Sequence, residues 1–229
     1  MDLPFKLIQT NDIERWRANT FWTKEPETIA WIDSFNGNGS FWDIGANIGI
    51  YSLYAATKYP EMTVYAFEPS ELNVNRLKQN CIINNLKNIM PLRIALSNIL
   101  SMGRFIDTQQ VGGADGKLLV QPITGDIPIS TIDDLVLKNN MKEPVYIKID
   151  VDGGEFAIIE GAIWTLAHDW CKSLLIEVDP TCTNKMLLNK IMHLNGYTTN
   201  NIFNVMDNHS RYRRLKENII VENVIYTKE

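Results

Sequence analysis

The stretch Phe41-Trp42-Asp43-Ile44-Gly45-Ala46-Asn47-Ile48-Gly49 constrains this chain more than any other. It reads as a strand, Phe41 to Ile44, that ends in a glycine-bearing turn and opens into a helix over Ile48 to Tyr59. A second strand, Thr63 to Phe67, follows and delivers Glu68 at its carboxyl end. Strand, crossover helix and strand at this spacing predict a parallel pair with a right-handed connection. In open sheets of this kind, ligands sit beyond the carboxyl ends of the strands. Gly45 and Gly49 lack a Cβ, so the backbone can pass close to a ligand there. Glu68 can accept hydrogen bonds from both hydroxyls of a ribose, strengthened by its charge. Together these features describe a cleft for an adenosine-containing cofactor.

The rhythm continues downstream. A helix is expected from about Glu71 to Asn84 and a third strand over Asn88 to Leu96, roughened by Pro91. Short strands at Gly103–Asp107 and Lys117–Gln121 flank the loose run Gln109 to Gly116, which predicts a hairpin insertion with a flexible tip. Ser130 or Thr131 can cap a short helix after it. Val145–Ile149 reads as a central strand, and Phe156–Ala167 as the helix behind it. Ser173–Val178, a helix over Asn184–Leu194, and strands at Ile202–Met206 and Asn223–Tyr226 complete the pattern. The expected fold is a mostly parallel seven-stranded α/β sheet, Rossmann-like, with helices on both faces. At 229 residues the chain suits a single domain. Residues 1–38, with helical character from Asp12 to Phe35, would form a segment covering the cleft, and 39–229 the cofactor-binding domain with its insertion at about 101–128.

Four proposed strands deliver acids to one edge: Asp43, Glu68, Asp150 and Glu177. The turn is D-x-G-x-N-x-G, and Asp43 stands where a pyrophosphate-binding turn has its first glycine. A carboxylate there repels a pyrophosphate at the helix N-terminus, whereas an amino-acid nucleoside with an ammonium and a sulfonium meets no such conflict. This favours S-adenosylmethionine over NAD. Asp150, Asp152 and Glu155, spread around Gly153-Gly154, can receive a hydroxyl proton, hydrogen-bond a sugar, or bind a hard divalent cation. Asp150, ending the central strand, is the first choice for the catalytic group, with Asp152 and Glu177 as helpers.

A net charge of -5 and a pI near 5.3 argue against nucleic acid as a partner, as does the lack of a long basic face. No membrane-spanning segment and no leader are expected, and three scattered cysteines fit a reducing cytoplasm. His168 and His193 read as structural, His209 is the one histidine to consider near a substrate, and Arg211, Arg213 and Arg214 read first as a solvated charge run. Two other functions fit parts of the pattern. An NAD-dependent oxidoreductase would need the G-x-G-x-x-G turn and Tyr-x-x-x-Lys pair that are missing here. A non-catalytic nucleoside- or glycan-binding module would bind the cofactor without turnover.

Asp43-Ile44-Gly45-Ala46-Asn47-Ile48-Gly49 with Phe67-Glu68-Pro69 resembles the first two motifs of class I methyltransferases. Tyr146-Ile147-Lys148-Ile149-Asp150-Val151-Asp152-Gly153-Gly154-Glu155, with Ile159-Glu160-Gly161-Ala162 after it, resembles the signature of the FkbM family of S-adenosylmethionine-dependent methyltransferases. Ser130–Leu135 and the lead-in Lys24-Glu25-Pro26-Glu27-Thr28 are similar to segments of that family too. The resemblance implies methyl transfer to an oxygen, often a sugar hydroxyl of a small molecule or glycan, by a monomer or homodimer. It places Gly45, Ala46, Asn47 and Gly49 around the methionine moiety and Glu68 with Pro69 at the ribose. Ser97 would border the adenine, with Asp43 and Glu25 on the cofactor side.

Overall fold

The computed structural model describes residues 2–178, 184–206 and 220–228; Cys182, His209, Arg211, Arg213 and Arg214 fall outside them. Seven strands form the main sheet: β1 (Ser40–Ile44), β2 (Thr63–Phe67), β3 (Ile89–Leu92), β8 (Tyr146–Ile149), β9 (Ser173–Val178), β10 (Thr198–Met206) and β11 (Ile220–Thr227). Their order is β10-β11-β9-β8-β1-β2-β3. All neighbours from β9 to β3 are parallel, while β11 runs antiparallel between β9 and β10. The chain winds outward in both directions from the β1–β8 junction, so the crevice beyond their carboxyl ends is the expected ligand position.

Alternation along the strands sends residues to two separate cores. Phe41, Val64, Ala66, Tyr146 and Leu175 pack under α2 (Pro26–Asp33), α3 (Ile50–Lys58) and α4 (Glu71–Ile83). Trp42, Ile44, Tyr65, Ile147, Ile149 and Ile176 face α5 (Ile132–Leu137), α6 (Glu155–Glu160), α7 (Ile163–Ala167) and α8 (Lys185–Leu194). The central strands β1 and β8 are buried along their whole length, as a sheet covered on both faces requires. Cys81 and Cys171 are buried thiols, pushed up by burial to about 11 and about 12. No helix among the described residues is long and apolar enough to cross a membrane.

Several boundaries differ from the sequence expectation. The helical stretch at Asp12 to Phe35 is two helices, α1 (Asp12–Thr20) and α2, with Pro26 at the start of the second. Proline has no N–H to leave unpaired there and disrupts a continuous helix. The third strand divides into β3 and β4 (Ala95–Leu96), and β4 leaves the main sheet to pair with β7 (Ile127–Ser130). The insertion is therefore more than a hairpin. β5 (Ser101–Asp107) and β6 (Gly116–Val120) join β7 and β4 in a second, four-stranded sheet. The helix expected over Phe156–Ala167 breaks into α6 and α7 at Gly161, where a Cβ would lie 2.2 Å from the carbonyl oxygen of Ser97. Thr131, not Ser130, caps α5, its side chain accepting from the Asp134 N–H.

Candidate active site

The glycine turn folds as its sequence implies, but its glycines serve the protein's own packing. Gly45 has φ +81°, and a Cβ on it would fall 1.8 Å from the carbonyl oxygen of Asp150. Gly49 has φ +87°, and its Cβ would collide with Leu77 at 2.7 Å. At both positions the space a side chain would need is already filled by the protein's own atoms. The two glycines bring β1 against the end of β8 and α3 against α4, a close approach that only a residue without Cβ tolerates. Gly45 and Ala46 both donate their N–H to the carbonyl of Phe67, at 3.0 Å each, which ties the turn to the end of β2.

Glu68 sits just beyond β2 and is 4% exposed. Its two carboxylate oxygens accept from the backbone N–H groups of Asn47, at 2.7 Å, and Ser70, at 2.8 Å. Burial pushes its carboxyl up to about 7, and those two N–H bonds only partly offset that. Pro69 is half-buried next to it. Ser97 donates its N–H to Ser130, at 2.9 Å, where β4 leads out of the second sheet.

The tip of the hairpin docks against this corner. The carbonyl of Ala114 accepts from the side-chain amides of Asn47, at 3.3 Å, and Asn73, at 2.9 Å. Gly113 donates its N–H to Asn73 Oδ1 at 2.8 Å and accepts from Arg17 Nε at 2.9 Å. Asn11, the cap of α1, donates to Gly112 at 3.0 Å. The run read from sequence as a loose tip is therefore a strap that joins α1, α4 and the glycine turn. Asn73 and Arg17 had no sequence signal, because a polar residue on a helix gives no sign of which loop it will meet.

The acids of the other half of the rim lie in a different setting. Asp43 is 1% exposed and sits inside β1, beneath α3, where Ser52 donates to its Oδ2 at 2.5 Å. Its place at an open strand end is accordingly corrected: alternation turns it into the core side rather than toward the crevice. Burial raises its pKa, which Lys148 and the Ser52 bond only partly oppose. Lys148, its register partner on β8, is 1% exposed and donates to Asp150 Oδ2 at 2.7 Å. Burial acts against the Lys148 ammonium, yet Asp150, Asp43 and Glu25 together hold its pKa above the usual value.

Asp150 keeps 28% of its side chain exposed at the rim. The site around it is desolvated, but Lys148 and Lys24 hold its carboxyl well below the ordinary range. Glu177 is its opposite: burial, then Asp150 and Glu25, drive its pKa well above normal. Glu25, which begins α2 without capping it, turns its side chain inward instead. It accepts from Lys24 Nζ at 2.5 Å, Tyr51 Oη at 2.9 Å and Thr28 Oγ1 at 3.3 Å.

One oxygen each of Glu25, Asp150 and Glu177 lies within 4.8 Å of the others. The carboxylates brought together are these, and not Asp150, Asp152 and Glu155. Asp152 has φ +58°, and Glu155 accepts the Gly153 N–H at 2.8 Å as a first-turn acid of α6. Lys24 and Lys148 already pair with Glu25 and Asp150, which leaves less free negative charge in this cluster for a hard cation.

Residues 43–199 match the Methyltransferase FkbM domain. The chain belongs to that family. It is similar to the hexuronic acid methyltransferase AglP of Haloferax volcanii, at 27% identity over 180 residues, which cover 76% of this chain and 72% of the relative. Among solved structures it resembles a precorrin-6y C5,15-methyltransferase from Geobacter metallireducens, with TM-score 0.54, 14% identity, and 98% and 93% of the two chains covered. It also resembles magnesium protoporphyrin IX methyltransferase (ChlM) from Synechocystis with bound S-adenosylmethionine, with TM-score 0.53, 13% identity, and 99% and 88% covered. These likenesses correct one reading of the FkbM resemblance. The framework is the general Rossmann-like class I methyltransferase fold shared with such enzymes, and not a fold particular to one family.

Proposed function

We propose that this FkbM-domain methyltransferase moves the methyl group of S-adenosylmethionine to a hydroxyl oxygen of a sugar or related small-molecule or glycan acceptor. The observation that carries this reading is Asp150, a carboxylate kept ionised by Lys148 yet 28% exposed where the crevice opens. A hydroxyl nucleophile needs a group that takes or orients its proton, and an ionised carboxylate at the rim can do so.

The residues fit the donor. Glu68 uses one N–H bond per oxygen, so lone pairs remain for two ribose hydroxyls. The carboxylates of Glu25 and Asp150 suit the positive charge of a sulfonium and an ammonium better than they suit a phosphate. When bound, S-adenosylmethionine supplies the methyl: the acceptor oxygen forms the new bond to carbon, the carbon–sulfur bond breaks, and sulfur keeps the electron pair. Asp150 receives the hydroxyl proton, with Glu177 beside it as helper. Lys24 pairs with Glu25 just ahead of α2, and the buried Glu25 accepts from Tyr51.

A rim of carboxylates on a chain of net charge -5 also disfavours a phosphate backbone, which supports a glycan or small molecule over nucleic acid as acceptor. The relative that acts on a hexuronic acid supports a sugar. The test is incubation with methyl-labelled S-adenosylmethionine and a panel of neutral and acidic sugars. Label in an alkali-stable methyl ether is expected. Label lost to mild alkali, as from a carboxyl ester, or label found on nitrogen, would overturn the hydroxyl assignment.

A further inference from the structure

Lys148 stands in the middle of Tyr146-Ile147-Lys148-Ile149, a strand buried along its whole length. Taking an ammonium out of water is costly, so such a lysine persists only where carboxylates answer it. Three do: Asp43 beside it on β1, Asp150 two residues ahead, and Glu25 from the segment before α2. Tyr51 of α3 lies under its ammonium at 5.1 Å and donates to Glu25 at 2.9 Å, so the ring links the two charged groups.

The choice of partner separates a local role from a merely structural one. A lysine kept only to neutralise the buried Asp43 would bond to it. Instead Nζ bonds to Asp150 at 2.7 Å, and Asp43 Oδ1 is buried with no hydrogen-bond partner among the described residues. The short bond is therefore made at the rim, to the group that faces the crevice.

We propose that Lys148 is the positioning residue of the methyl-transfer site: its ammonium fixes the Asp150 carboxylate in orientation and charge. This rests on the reading of Asp150 as the proton acceptor. The groups that set the electrostatics around Lys148 are Asp43 from β1, Tyr51 from α3, Lys24 and Glu25 ahead of α2, Asp150 at its own strand end and Glu177 from β9, with Arg17 of α1 farther out. Within this set Lys148 makes the direct bond to Asp150 Oδ2.

The experiment is a carbon-13 carboxylate titration of the aspartates, with the Asp150 signal assigned by its loss in Asp150→Asn. It is run on the wild type, Lys148→Met and Lys148→Arg. In the wild type the Asp150 signal should stay that of an ion well below about pH 4, where ordinary aspartates titrate. In Lys148→Met it should move to higher pH, and in Lys148→Arg return toward the wild type. Turnover of Lys148→Met at neutral pH should drop at least about tenfold and recover as the pH is raised, while S-adenosylhomocysteine binds as before. A pH-independent loss would mark a purely structural role and overturn the proposal. So would an unmoved Asp150 signal in Lys148→Met, or an ordinary titration in the wild type, a result that stands even if Lys148→Met does not fold. If the wild type methylates no hydroxyl acceptor, the proposed activity fails, yet the titration still decides the role of Lys148.

Discussion

Glu68 and Asp150 begin as the same feature, an acid immediately past the end of a parallel strand, and end in opposite electrostatic states. At the end of β2, Glu68 is closed in by neutral partners: two backbone N–H groups, Asn73 nearby, and the strap above. Its carboxyl rises to about 7. At the end of β8, Asp150 meets two lysines and remains a strong anion. A strand-end acid thus takes its chemistry from what surrounds it. Burial, only partly offset by N–H donors, makes a site that can exchange a proton near neutral pH. Fixed ammonium groups make one that stays charged and ready to accept a proton.

The contrast can be tested from both ends. The largest effect is expected at the charged end. Asp150→Asn keeps the shape but loses the anion, and turnover should fall by about 10²- to 10⁴-fold with cofactor-product affinity little changed; single-turnover rates at saturating donor measure it. Next comes Gly45→Ala, at the point where the two regions touch. A positive φ and a Cβ 1.8 Å from the Asp150 carbonyl should together cost roughly 3–4 kcal/mol, read from urea unfolding. A milder loss would mean that the turn yields without moving Asp150.

The third test concerns the neutral end and pH. A carboxyl raised from 4.5 to about 7 in the folded state contributes stability that is complete below pH 4.5 and lost as the pH climbs through 7. The protein without cofactor should therefore lose roughly 3 kcal/mol across that window through this group, and Glu68→Gln should flatten the loss. Binding of S-adenosylhomocysteine, which uses the ionised form, should tighten over the same range in the wild type and not in the variant, as calorimetry at several pH values would show. The smallest effect belongs to the strap. Asn73→Ala removes its bonds to Ala114 and Gly113 and should cost about 1–3 kcal/mol of local stability, seen as faster amide exchange at 111–115 with the sheet core unchanged.

Much of the framework was legible from residue order. The glycine turn, the acid after β2 and the apolar run of β8 place themselves, because alternation and turn chemistry are local properties. The strap and the second sheet were not legible. Leu96 pairs with Ser130, and Asn73 with Gly113, across intervals that no periodicity marks. Lys148 did carry one signal, a charge inside an otherwise apolar strand, which in a doubly covered sheet means a buried counter-ion. It does not say which acid the lysine answers.

Composition and pattern alone were enough for a parallel α/β sheet and a rim of acids, since burial of alternate faces and the length of crossovers leave few other arrangements. Packing in three dimensions decided which acid's pKa rises, which falls, and why Gly45 must be glycine. Those outcomes depend on distances of a few ångströms between residues far apart in the chain, where desolvation and Coulomb attraction change steeply.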